Sequence, residues 1–176
     1  MVGKKKLTTW GKIWRIAVAV VIPLVVGGVS AALTMDTMQK FGAFNQPPLS
    51  PPAWLFPVAW TLLYVLMGVA SYLIYTAYRA NKGKRSAESV KKAKMAKAAL
   101  VIYGVQLAFN FLWSIFFFKL ELRWFALGWI VVMWAMILAI TIMSHRLNKG
   151  AFWCLLPYLL WVTFATYLNC GVALLN

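Results

Sequence analysis

Five stretches of this chain carry no charged side chain: Ile16–Met35, Phe41–Tyr78, Ala98–Phe118, Trp124–Ser144 and Gly150–Asn176. Each can hold about 20 residues of helix, the length that crosses a hydrocarbon layer of roughly 30 Å. Backbone polar groups in lipid must be satisfied within the segment, so runs of this kind fold as spanning helices. Five of them in 176 residues leave room for little else. The expected architecture is an all-α integral membrane protein, a single domain over 1–176. Its five-transmembrane-helix bundle has helices at about 12–35, 54–79, 90–118, 123–146 and 149–174.

The few charges are unevenly placed. Eighteen Lys and Arg stand against three acidic residues. Five precede the first run (Lys4, Lys5, Lys6, Lys12, Arg15), eight lie between Arg79 and Lys97, and Arg146 and Lys149 separate the last two runs. The alternate connections hold only Lys40, Lys119 and Arg123. This asymmetry places the N-terminus in the cytoplasm and the C-terminus outside. It reads the basic segments, residues 79–97 above all, as partners of anionic lipid headgroups and not of nucleic acid. The basic start, apolar core and Val29–Ser30–Ala31 also fit a cleaved signal peptide, a rival reading of the first run.

No ionisable group lies well inside a span, which argues against proton relays, ion pumps and voltage sensors. Asp36, Glu88 and Glu121 fall in connections, so there is no carboxylate pair and no nucleophile beside a base. His145 is the one histidine, and Cys154 and Cys170 lie on one helix about 24 Å apart. No catalytic residue and no metal site is expected.

Several spans instead carry mixed aromatic and polar faces. Tyr158, Trp161, Ala165 and Asn169 recur at helical spacing in the fifth run, and Trp60, Tyr64, Met67 and Ser71 in the second. Gln106, Asn110, Trp113 and Phe117 do so in the third, where two amides in hydrocarbon require partners. These faces are expected to meet around a ligand cavity, with Ala165 leaving space. The fourth run looks like a lipid-facing wall. A connection of about 20 residues joins the first two spans (lid loop about 36–53). Connections so long are often lids, and Pro47, Pro48, Pro51 and Pro52 stiffen this one. Gly104 and Ala108 form a small-residue pair suited to close contact between helices or copies.

The second span reads Trp54–x5–Trp60–x3–Tyr64–x2–Met67–Gly68–x2–Ser71–Tyr72. The third gives Gln106–Leu107–x2–Asn110–x2–Trp113 and the fifth Pro157–Tyr158–Leu159–x–Trp161–x2–Phe164–Ala165–Thr166–x–Leu168–Asn169. In order and spacing these resemble the TspO/MBR family of tryptophan-rich sensory proteins and mitochondrial translocator proteins (peripheral-type benzodiazepine receptors). The resemblance, from about Pro23 to Gly171, implies a bacterial member in the cytoplasmic membrane that keeps its first helix and forms a homodimer. It implies a receptor or carrier for porphyrins, protoporphyrin and haem, as ligands and with no obligatory cofactor. Ligand contacts then fall to Trp60, Tyr64, Gln106, Asn110, Trp113, Tyr158, Trp161 and Ala165, under a lid containing Phe41, Pro47, Leu49, Pro51 and Pro52. The dimer contact would include Gly104 and Ala108. Light-dependent porphyrin degradation and a scaffold without a small-molecule role are the alternatives. The chain departs from the family pattern in the loop, where Lys40, Phe41 and Leu49 stand at aromatic positions, which weakens the case for degradation. Gly128 replaces an acid, and no basic residue follows Tyr167 to complete the family's sterol motif.

Overall fold

The computed structural model describes residues 9–41 and 44–176, without the side chains of residues 38–41. Lys4, Lys5 and Lys6 lie outside the described residues. Five long helices follow one another: α1 (Thr9–Phe41), α2 (Leu55–Asn81), α3 (Ala87–Ser114), α4 (Arg123–Leu147) and α5 (Lys149–Leu175). A π-helical turn, Ile115–Lys119, continues α3. All five are long and apolar enough to cross a membrane, and no strand occurs among the described residues. The chain is an all-α integral membrane bundle.

Helix ends follow local chemistry. Ser86 Oγ accepts a hydrogen bond from the Ser89 amide at 3.3 Å, and Glu88 in the first turn pairs with Lys92 at 3.2 Å. Both features start α3 in the basic connection. Asn148 Oδ1 caps α5 in the same way, accepting from the Ala151 amide at 3.2 Å. The first helix runs on to Phe41, past the expected end near Met35. The charges at Asp36 and Lys40 end the apolar run but not the helix, so the loop between α1 and α2 is shorter than expected.

In cross-section the helices form a ring in the order α1, α2, α5, α4, α3, with α3 closing back on α1. The fourth helix is not the plain lipid-facing wall expected. It wedges between α3 and α5 and turns Ala126, Ile130, Met133, Ile137, Ile140, Thr141 and Ser144 inward. Lipid tails are as apolar as a protein core, so Ile and Met serve on either side.

Close approach of α1 to α2 rests on two glycines. A side chain at Gly27 would collide with the Tyr64 ring. A Cβ at Gly68 would lie 2.5 Å from Val20 Cα and 2.7 Å from the Ala19 carbonyl oxygen. Threonines in the spans satisfy themselves: Thr34, Thr61, Thr141, Thr163 and Thr166 each donate to the carbonyl four residues back, at 2.8–2.9 Å. Such bonds leave no hydroxyl bare to lipid.

Candidate ligand cavity

A cavity of about 660 Å³ opens within the loop-bearing half of the bundle. Small residues of α1 (Gly27, Gly28, Ala31, Ala32) form one wall, beside Ser30, Thr34 and Met35. Ala53 at the end of the loop and Phe56, Pro57, Trp60 and Tyr64 of α2 form the next wall. Trp113, Ser114, Phe117 and Phe118 come from α3 and its π turn, and Trp161, Phe164, Ala165, Leu168 and Asn169 from α5.

The indoles are held differently. Trp113 donates Nε1–H to Asn169 Oδ1 at 3.2 Å and stacks on Phe117 with centroids 5.3 Å apart. Asn169 in turn donates to the Arg123 carbonyl at 3.0 Å, tying α5 to the start of α4. The π turn, closed by the Leu120 amide bonding back to Ile115 O at 2.9 Å, brings Phe117 and Phe118 both to the cavity. Trp60 lies against Tyr64 at 5.6 Å and meets Tyr158 edge-on at 6.3 Å. Trp161 touches Phe56 and Phe164 through ring edges at 6.1 and 6.0 Å. Its indole N–H is buried and has no hydrogen-bond partner among the described residues.

Of the eight residues anticipated as ligand contacts, Trp60, Tyr64, Trp113, Trp161 and Ala165 line the cavity. Gln106, Asn110 and Tyr158 are buried beneath it. There they form one chain across three helices. Tyr64 Oη donates to Asn110 Oδ1 at 2.7 Å, Asn110 Nδ2 donates to Tyr158 Oη at 3.1 Å, and Tyr158 Oη donates to Gln106 Oε1 at 2.8 Å. The amides thus find their partners in the protein, as burial in hydrocarbon demands. They make a rigid floor on which Tyr64 stands.

The loop is seated on the C-terminal end of α5. Asn45 and Asn176 clasp each other: the Asn45 amide donates to Asn176 Oδ1 and Asn176 Nδ2 to the Asn45 carbonyl, each at 3.0 Å. Tyr167 Oη donates to the Pro48 carbonyl at 2.8 Å, and Pro47 fills the space above Gly171. The Arg123 guanidinium lies 4.5 Å from the Phe44 ring centroid. Leu49 sits at φ 67° and is 82% exposed. Pro47, Leu49, Pro51 and Pro52 stay off the cavity wall, and Ala53 alone of the described loop residues reaches it. The Phe41 side chain lies outside the described residues. Gly104 and Ala108 face outward, with nothing within 4 Å of a Cβ built on Gly104.

The four-residue spacing of Gly27–Gly28 and Ala31–Ala32 marks α1 for close helix approach, and the structure also gives these residues to the cavity wall. Sequence periodicity does not single out Phe56 or Phe118. Phe56 stands four residues before Trp60, a spacing that adds it to the aromatic face.

Five long apolar helices, four of which surround an aromatic cavity, define an integral membrane protein. The chain belongs to the TspO/MBR family, whose profile matches residues 19–175. It is 30% identical over 166 residues to "Tryptophan-rich protein TspO" of Chlorobaculum tepidum, covering 94% of this chain and 98% of the relative. It is 36% identical over 132 residues to "Tryptophan-rich sensory protein" of Cereibacter sphaeroides, covering 75% and 73%. With "Translocator protein" of Bos taurus the identity is 30% over 152 residues, covering 84% and 82%.

Proposed function

We propose that this protein is a membrane receptor or carrier that takes porphyrins, protoporphyrin and haem among them, and other flat apolar ligands into the cavity between α1, α2, α3 and α5. The observation that carries the reading is the cavity itself. At about 660 Å³ it falls within the size range of small-molecule sites, and three indoles from three helices line it. Flat π-systems are met well by rings that can stack or present an edge. Ser30, Thr34, Ser114 and Asn169 offer a few polar handles. Trp60, Tyr64, Trp113, Trp161 and Ala165 would touch the ligand, while Gln106, Asn110 and Tyr158 hold Tyr64 and the floor in place. The family resemblance implies the same ligand class. Two copies would pair through the outward face of α3 around Gly104 and Ala108, with the N-terminus cytoplasmic and residues 79–97 against anionic headgroups of a bacterial cytoplasmic membrane.

The test is a titration of the protein in lipid nanodiscs with protoporphyrin, haem and a sterol, read by tryptophan fluorescence. Saturable quenching by the porphyrins is expected. Ala165→Phe, which fills the cavity beside Trp161, should weaken it about tenfold or more, a loss of at least 1.4 kcal/mol. A folded protein that shows no saturable quenching overturns the reading. The same three indoles would also serve photochemical breakdown of a bound porphyrin, with an indole as electron donor. Unchanged porphyrin absorbance after illumination of the complex would remove that alternative.

A further inference from the structure

Outside the bundle, between α2 and α5, a second hollow of about 410 Å³ is lined by Ala59, Leu62, Leu63, Pro157, Leu160, Trp161 and Phe164. Not one polar atom is exposed in it. Trp161 and Phe164 belong to both hollows, so these two rings are the partition between the inner cavity and the outer groove.

Three observations say what covers the groove and what the partition does. First, depth: Ala59 to Leu63 lie one to two turns inside the start of α2, below Trp54, an exposed indole suited to the headgroup level. The groove therefore opens into hydrocarbon. Leu62 and Leu160 on its rim are 60% and 62% exposed among the described residues. Second, the partition is loosely held. The indole N–H groups of Trp113, Trp129 and Trp134 are tied to Asn169, Phe109 O and Thr163, whereas that of Trp161 has no partner among the described residues. Apolar packing and its contacts with Phe56 and Phe164 position it, without a hydrogen bond among the described residues. Third, α5 is weakened at that level: Pro157 has no N–H to give the Trp153 carbonyl, so one helical hydrogen bond is missing where the groove begins.

We propose that the groove holds a lipid acyl chain and is the lateral portal of the cavity, with Trp161 as its swinging door. Apolar ligands dissolved in the bilayer pass between α2 and α5 when the Trp161 ring turns, and the acyl chain reseals the groove behind them. The route bypasses the loop clasped to the end of α5. The portal presupposes the ligand-binding reading above; the acyl-chain contact does not.

The experiment has two arms. In nanodiscs of phospholipid brominated at mid-chain, the emission lost on Trp161→Phe is the Trp161 contribution, and bromine should quench at least half of it. Filling the groove with Ala59→Phe, or with Leu62→Phe should the first variant fail to fold, should relieve that quenching. In ordinary lipid, the same filled variants should slow protoporphyrin association and dissociation about tenfold each and leave the dissociation constant nearly unchanged, the mark of a blocked path. Unquenched Trp161 emission overturns the proposal. Where quenching returns only on dissociating a dimer, the groove belongs to a second copy, which overturns it equally. Unaltered rates in the filled variants rule out the portal. If the wild type binds no protoporphyrin, the functional reading fails and the carrier role of the portal with it, while the bromine arm still decides what fills the groove.

Discussion

Tyr158 shows how a single hydroxyl can organise a membrane interior. It accepts from Asn110 and donates to Gln106, and through Asn110 it fixes Tyr64. Tyr158→Phe removes one oxygen but strands two buried amide groups, so a loss of about 1–3 kcal/mol is expected. Reversible unfolding in mixed detergent should read it as a lowered midpoint. The companion Tyr64→Phe strands only Asn110 Oδ1 and should lose less. Spacing had marked Asn110 and Tyr158 correctly as inward-facing, since period alone identifies a face. It could not tell cavity wall from floor, because how far along the inward direction a side chain ends depends on the neighbouring helix. Trp161 and Asn110 look alike in sequence; only the packing separates the loose indole from the bound amide.

At the level of the helices, the α1–α2 contact is decided by where glycine is required. Gly27 and Gly68 face a ring and a backbone, while Gly28 and Gly128 have nothing within 4 Å of an added Cβ. Gly68→Ala should therefore push the two helices apart and destabilise by about 1–3 kcal/mol. Gly128→Ala should be neutral or raise stability, by up to roughly 1 kcal/mol through helix propensity. Melting curves of the two variants side by side check the contrast, and equal behaviour would sink it. The spans themselves were legible because charges are excluded from hydrocarbon. The continuation of α1 to Phe41 was not, since Asp36 and Lys40 mark the edge of the membrane and not the end of a helix. Nor was the π turn: one extra residue in a turn alters the backbone register without altering composition. The inward face of α4 was hidden because Ile, Val and Met suit both of its sides.

For the molecule as a whole, the distribution of charge and the outer face of α3 carry the predictions. With Cys154 and Cys170 replaced by Ser, a membrane-impermeant maleimide should label Leu49→Cys from outside and Lys84→Cys only after the cell is opened. The opposite pattern would invert the proposed topology. Gly104→Leu adds bulk where this copy has open space, so it should leave folding intact and shift the population toward monomer, as sedimentation in detergent would show. Full dimer with this variant would move the contact elsewhere. The self-bonded threonines have a consequence for biosynthesis. A threonine that bonds to a carbonyl of its own helix, as Thr34 does in α1, leaves no bare hydroxyl while that helix waits in lipid for its partners. The amides of α3 are different, for they are completed only by phenols on α2 and α5. α5, made after α3, brings Tyr158 and closes the network. Until it arrives, the Asn110 Nδ2 donor and the Gln106 Oε1 acceptor lack the hydroxyl that satisfies them, so the interior of the bundle is completed only when α5 docks.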